Sequence, residues 1–421
     1  MRVALVTWGL AKAGGAESYL ETIAKPLAQR CDLAILAEIG GSPGNAISLP
    51  EAAPVWTVSQ IGKERALDCL RSWRPDVIYC HGLLDPDLEA RLLYIAPGVF
   101  FAHAYYGSCI SGTKTVRFPR RHTCTRRFGW QCLVQYYPRR CGGLNPFEMW
   151  KLYQQQADRL SLLRRYKMIL TASEFMRREY LNLGFAENTI VKLSYPLRSQ
   201  SPRLTNGEDI PLERDQESVA TGSKPWRLLF AGRMTRLKGG RELLKSLPKV
   251  ARTVLRPLQL TMVGDGPERN EWQELAKALT AANSELRVDF IGWLPTEKLD
   301  CLFEETDLLV VPSIWPEPFG LIGLEAARRG VPQVGFQVGG ISEWLQDGKS
   351  GYLASIPGSS QALAEAIIKC LSNPQVYSRL RRGSIEATRG LDTQEHLGKL
   401  LGLLSMPASA LDLTSRPELG F

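Results

Sequence analysis

The stretch Pro312-Ser313-Ile314-Trp315-Pro316-Glu317-Pro318-Phe319-Gly320-Leu321-Ile322-Gly323-Leu324-Glu325 carries two acids, Glu317 and Glu325, where a loop passes into a helix. With Glu317 at that junction, the N–H groups of Phe319, Gly320 and Leu321 are expected to point out of the helix beside its carboxylate. The pairing suits a sugar, whose hydroxyls donate to the acid while accepting from the N–H groups. Eight helical residues turn by about 800°, about 80° beyond two full turns, so Glu325 is expected on nearly the same face. One acid would hold a sugar and the other a ribose. The alternative is an acid complementing the helix dipole, with a solvated second glutamate.

Arg233 follows the run Phe230-Ala231-Gly232, and Lys238 precedes Gly239-Gly240. Two cations so placed suit a diphosphate leaving group, because positive charge in a water-poor site stabilises the negative charge that grows as its bond breaks. Either alone reads equally as a solvated loop residue. Gly14 and Gly15 stand where a helix should begin, and free N–H groups at such a start attract phosphate. A tight turn needing positive φ explains the same glycines. The loop is not G-x-G-x-x-G, which removes the main support for a dinucleotide oxidoreductase. His81 and His103 close two strands of the first half; a purely structural hydrogen bond is the alternative for each.

These groups need rigid strands behind them. Short apolar runs alternate with helical patterns, which predicts an α/β chain with parallel sheets covered by helices on both faces. The first half offers Arg2–Trp8, Leu33–Glu38, Asp76–Gly82, Val99–Ala104, Met168–Glu174 and Ile190–Pro196. The second offers Arg227–Gly232, Leu258–Gly264, Arg287–Gly292, Leu308–Ser313, Pro332–Gln337 and Ser350–Ser355. The expected organisation is a domain over 1–197 with an insertion at 105–165, a polar linker over 198–225, and a domain over 226–390. A helix and tail over 391–421 would be free to cross back to the first domain. Doubly wound sheets bind ligands beyond the carboxyl ends of their strands, where the groups above fall.

Composition agrees with two cores: 421 residues, 44% hydrophobic and 23% charged. The net charge of +9 is local, because Ser111 to Lys167 holds 13 Lys and Arg against Glu148 and Asp158. No apolar run approaches the ~18 residues of a membrane span, so a soluble or peripheral protein is expected. Arg2 and the run Val3 to Leu10 imitate a short signal peptide but fit the first strand of a βα unit. Nine cysteines could form disulfides in a secreted protein, but a chain of this size has no need of them, and a reducing cytosol is the simpler expectation. Cys109, Cys124, Cys132 and Cys141 could ligate a structural zinc, with His122 as a substitute, or could be unliganded thiols or a disulfide; their spacing fits no common finger. Trp130, Tyr136, Tyr137, Phe147, Trp150 and Tyr153 among the cations suit an anionic membrane surface or a lipid-linked acceptor. A phosphorylated soluble acceptor is the alternative, and nucleic acid is not expected.

Gly14-Gly15-Ala16-Glu17, Gly232-Arg233 with Lys238-Gly239, Val263-Gly264-Asp265-Gly266-Pro267, Glu317-Pro318-Phe319-Gly320 with Glu325, and Gly339-Gly340 with Glu343 and Gly351 together resemble family 4 of the retaining GT-B glycosyltransferases. The resemblance covers nearly all of the second domain and is looser before Trp226. It implies two Rossmann-like domains facing across a cleft, and sugar transfer from a nucleoside diphosphate sugar to a glycan, lipid-linked or small-molecule acceptor without a catalytic metal. It further implies that Glu317 holds the donor sugar, Glu325 the ribose, and Arg233 and Lys238 the diphosphate, with Gly15 contacting the latter. His103 would orient the donor sugar, and the departing phosphate oxygen would take the acceptor's proton. The rivals are a nucleotide-sugar epimerase, which should lack the E-x7-E stretch, and an inactive binding protein, against which the intact Arg233, Lys238, Glu317 and Glu325 argue.

Overall fold

The computed structural model describes residues 1–12, 14–42, 44–119, 121–198, 224–254 and 256–407. The chain forms two compact units, Met1–Arg198 with Leu391–Phe421, and Ser199–Gly390. Most of the polar stretch 198–225 lies outside the described residues.

In the first unit the strands are β1 (Arg2–Gly9), β2 (Asp32–Ile39), β3 (Val55–Thr57), β4 (Val77–Cys80), β5 (Gly98–Ala102), β6 (Thr115–Val116), β7 (His122–Thr123), β8 (Met168–Thr171) and β9 (Ile190–Lys192). Seven of them form a parallel sheet in the order β3-β2-β1-β4-β5-β8-β9, and β6 and β7 pair as an antiparallel hairpin. Val3, Ala4, Leu5 and Val6 are fully buried, as a strand covered on both faces requires. Sequence reading omits β3, a three-residue edge strand too short to show a period.

The C-terminal helix Thr393–Ser405 belongs to this unit. Asp392 caps it by accepting from the N–H groups of Gln394 and Glu395, and the Thr393 hydroxyl donates to Leu197 O at 2.6 Å.

The second unit holds β10 (Trp226–Ala231), β11 (Leu258–Val263), β12 (Leu286–Gly292), β13 (Leu308–Val311), β14 (Gln333–Phe336) and β15 (Gly351–Ala354). They form a parallel sheet in the order β12-β11-β10-β13-β14-β15. The helices Ser360–Leu371 and Pro374–Glu386 also lie in this unit. Both sheets are doubly wound, with strand order reversing between β1 and β4 in one and between β10 and β13 in the other.

Candidate functional site

Loops from the β10/β13 switch point build one cluster of the second unit. After β13 the chain runs through an irregular segment to the helix Leu321–Ala327, whose N-cap, Gly320, has φ of 92°. Glu317 thus sits in the loop, three residues before the N-cap, held there by flanking prolines that cannot enter a helix interior. This corrects the helical spacing expected for Glu317 and Glu325, because the helix covers only the second of them. Glu325 is half-buried in that helix and its backbone carbonyl accepts from Arg329 Nη1 at 2.8 Å.

The Glu317 side chain is buried, and one of its oxygens gathers three donors. Lys238 Nζ and Ser313 Oγ each lie 2.5 Å from Oε1, and Trp315 Nε1 lies 2.9 Å from it. Lys238 also lies 5.7 Å from the centre of the Trp315 ring. The crowding on Oε1 leaves Oε2 as the oxygen through which the acid can accept from a ligand hydroxyl.

Two glycine pairs make this geometry possible. Gly239 has φ of 70° and presses its backbone against Pro312 O, where a Cβ would overlap, while Leu237 O accepts from Ile314 N–H at 2.9 Å. The Lys238 loop is thereby fastened to the Glu317 loop. From the other side Gly340 N–H donates to Glu317 O at 2.7 Å, and a Cβ on Gly339 would run into the Glu317 backbone. Trp344 Nε1 donates to Phe319 O at 2.7 Å, and Phe319 is buried. Gly320 and Leu321 are half-buried at the helix start, where first-turn N–H groups lack partners inside the helix. Arg233, on the loop after β10, is exposed.

Gly14, Gly15 and His103 belong to the first unit. Gly14 is the N-cap of the helix Gly15–Ala28, and both glycines are exposed. The Glu17 carboxyl, in the first turn of that helix, is buried. Burial raises its pKa, against the lowering influence of the nearby Glu17 and Gly14 backbone and the Trp8 side chain.

His103 Nε2 lies 2.8 Å from His81 Nδ1, and His103 Nδ1 lies 2.7 Å from the Tyr195 hydroxyl. The ring stacks on Tyr195 at an interplanar angle of 8°. Burial lowers the His103 pKa to about 3 and that of His81 well below the ordinary histidine value. With both nitrogens engaged and the ring neutral, His103 is set as part of a hydrogen-bonded chain.

A second chain crosses the same aromatic core. The carbonyl of Ser194 can only accept, so His396 Nδ1 donates to it at 2.9 Å. His396 Nε2 must then accept from the Tyr19 hydroxyl at 2.9 Å, and Tyr19 accepts from Tyr79 at 2.6 Å.

The four insertion cysteines line one cavity of about 30 Å³ together with Lys114, Arg126 and Arg139. All are free thiols, and among the described residues no group of three or more metal-ligating side chains is placed to hold a metal ion. The zinc expectation therefore has no support in the geometry. Lys114 is instead neutralised by a buried ion pair with Glu179. No helix among the described residues is long and apolar enough to cross a membrane.

Sequence reasoning missed Ser313, Trp315, Glu17 and the tyrosines around His103. For Ser313 and Trp315 the signal was their closeness to Glu317 along the chain, in a loop that bends at Trp315 and Pro318.

Residues 212–387 match the family model described as glycosyl transferases group 1. The chain is 27% identical over 325 residues to a glycogen synthase of Mycobacterium tuberculosis, covering 75% of this chain and 64% of that protein. It is 30% identical over 173 residues to D-inositol 3-phosphate glycosyltransferase of Corynebacterium jeikeium, covering 40% of this chain and 41% of that protein. In structure it resembles HepE of Anabaena in complex with UDP, with a TM-score of 0.66 and 20% identity over 96% of this chain and 100% of that one.

Proposed function

We propose that this chain is a group 1 glycosyl transferase of GT-B fold, an enzyme that moves a sugar from a nucleoside diphosphate sugar to a hydroxyl acceptor. The observation that carries the reading is Glu317, buried and oriented through Oε1 by Lys238, Ser313 and Trp315 at a strand switch point, with Oε2 left for a sugar hydroxyl. In this reading Glu325 holds the ribose. The N–H groups of Phe319, Gly320 and Leu321 meet the donor, and Arg233 and Lys238 stabilise the leaving diphosphate. Gly14 and Gly15 remain proposed donor contacts. His103 keeps a positioning role.

Transfer breaks the bond between the sugar C1 and the diphosphate and forms one from C1 to the acceptor oxygen. The acceptor attacks from the face the diphosphate leaves and its proton passes to the departing phosphate oxygen, so the configuration is retained.

The test is thermal stabilisation by a panel of nucleotide sugars, starting with UDP-glucose, which Anabaena HepE was solved with. The expected result is stabilisation by one nucleotide sugar above that by its free nucleoside diphosphate, with Glu317→Ala abolishing only the excess. A Glu317→Ala variant that responds like the parent would overturn the site.

A peripheral membrane location belongs to the same proposal. It is supported by the exposure of Trp130, Leu144, Phe147 and Trp150 in the arginine-rich insertion, with Leu144 at 86% and Phe147 at 84%. Aromatic and aliphatic side chains interleaved with cations suit an anionic lipid surface. The acceptor would then be lipid-linked.

A further inference from the structure

The first unit contains a cavity of about 340 Å³ at the carboxyl ends of β1, β4 and β5, beside its own strand switch point. Its walls include Trp8, Leu84, Tyr105, Tyr106, Gln156 and Arg159. The last two come from the helix Pro146–Leu163, which Asn145 caps by accepting from the N–H groups of Phe147 and Glu148. Gln156 Oε1 accepts from Gly107 N–H at 2.9 Å, which leaves its amide NH2 as the group available to a ligand.

Arg159 is the cation of this cavity. Its guanidinium lies 5.3 Å from the centre of the Tyr106 ring, and that ring is seated over Gly82, where φ is 90° and a Cβ would come within 2.9 Å of it. Two buried acids, Glu38 and Glu89, feel its charge, but neither forms an ion pair with it among the described residues. Each is occupied elsewhere: Glu38 accepts from Leu84 N at 2.5 Å and Asp85 N at 2.8 Å, and Glu89 from the Tyr166 hydroxyl at 2.7 Å and Leu83 N at 3.4 Å. Arg159 therefore brings a planar fork of N–H donors to the cavity without a direct carboxylate partner. Such a fork matches phosphate and carboxylate oxygens. Trp8 lines the same cavity and brings an apolar aromatic surface to it.

Resting on the transferase reading above, we propose that this cavity binds the acceptor, a sugar or polyol carrying a phosphate or carboxylate, with the oxyanion on Arg159 and the carbon skeleton against Trp8. The acceptor class is thereby an anionic one, whether its phosphate is free in solution or joined to a lipid.

The test is binding of glucose 1-phosphate, glucuronate and methyl glucoside, and of a polyprenyl phosphate sugar in detergent micelles, to the full chain and to Arg159→Gln and Arg159→Lys. The expected result is that at least one oxyanion-bearing probe binds at least tenfold more tightly than methyl glucoside. Arg159→Gln should remove that preference and Arg159→Lys keep part of it. The soluble and the lipid-borne phosphate probes separate the two sources. A neutral sugar binding as well as the anionic ones, binding indifferent to Arg159, or binding by none of the probes would overturn the proposal. Stabilisation of each variant by nucleoside diphosphate shows that it is folded and reports on the donor site separately. Its failure in the parent protein would count against the transferase reading while leaving an Arg159-dependent oxyanion site in place.

Discussion

Glu317 has a single oxygen that three donors orient, and that concentration makes its neighbours unequal. Lys238 combines an ion pair to Glu317 with the contact to a leaving diphosphate proposed for it, whereas Arg233 is exposed and has only the proposed contact. Arg233→Ala is expected to lower kcat by roughly a hundredfold with little change in stability, the size of effect seen on removing one donor to a developing oxyanion. Lys238→Ala should lower kcat similarly and also cost about 2 kcal/mol of stability, because a buried carboxylate loses its charged partner. Combined with Glu317→Gln, the loss from Lys238→Ala should be less than additive, since the two side chains act as one unit. Steady-state kinetics and thermal melts of the four variants check this. Additive losses would mean that the lysine works independently of the acid.

At the scale of elements, loops placed by glycines decide the shape of the cluster. Gly339, with φ of 57°, lies so close to Glu317 that a Cβ would displace the backbone of the acid, while Gly348, with φ of 72°, has nothing within 4 Å of its would-be Cβ. Gly348→Ala measures the conformational cost alone, about 1 kcal/mol. Gly339→Ala is expected to cost about 3 kcal/mol and to abolish the stabilisation that a nucleotide sugar adds over free diphosphate. Equal melting temperatures for the two variants would show that the loop yields without strain. The glycine pair was visible in the sequence. That it supports Glu317 was not, because residues 22 positions apart meet only when β14 lies beside β13.

At the scale of the whole molecule, protonation and surface charge make two further predictions. His81, His103 and His396 all have pKa values depressed by burial, to about 3 for His103 and about 4 for His396. Above about pH 6.5 the rings are neutral folded or unfolded, and their stabilisation is complete. As pH falls below that value the unfolded chain takes up protons that the folded unit refuses, so stability falls until the folded values are reached. Each ring contributes a slope of up to about 1.4 kcal/mol per pH unit. The raised carboxyls of Glu17, Glu38 and Glu89 act in the opposite sense, so variants are needed to isolate the histidines. His396→Gln should flatten the fall in melting temperature between pH 6.5 and 5, and the ring signals of His81, His103 and His396 should stay neutral in NMR titrations over that range. A ring titrating near 6.5 would show that the aromatic core admits water.

The insertion makes the second prediction. Replacing Arg121, Arg126 and Arg127 with Ser should reduce co-sedimentation with anionic vesicles at low salt, and replacing Phe147 with Ser should reduce what persists at high salt. Cations contribute about 1 kcal/mol each at such a surface and are screened by salt, whereas apolar insertion is not. Equal sedimentation with neutral and anionic vesicles, or none with either, would remove the membrane from the proposal.

Periodicity and glycine placement alone determined the alternation of strands and helices and the loops that carry Glu317, Lys238 and Arg233, because a buried parallel strand must be apolar along its length and a βα turn must bend sharply. The short β3 escaped because three residues show no period. Tertiary structure decided which side chains meet. Ser313 and Trp315 converge on Glu317 in a loop that bends at Trp315 and Pro318, and Tyr19 finds His396 far along the chain because the C-terminal helix folds onto the first sheet. The four cysteines share a cavity without forming a metal site, although their clustering invited one. Arg159, one of thirteen cations in its segment, is distinguished only by the packing that brings it to Tyr106 and leaves its guanidinium without a carboxylate partner. Patterns along a chain report what each element must bury. Which groups converge depends on the crossing of elements distant in sequence, and that is a property of the packed sheets.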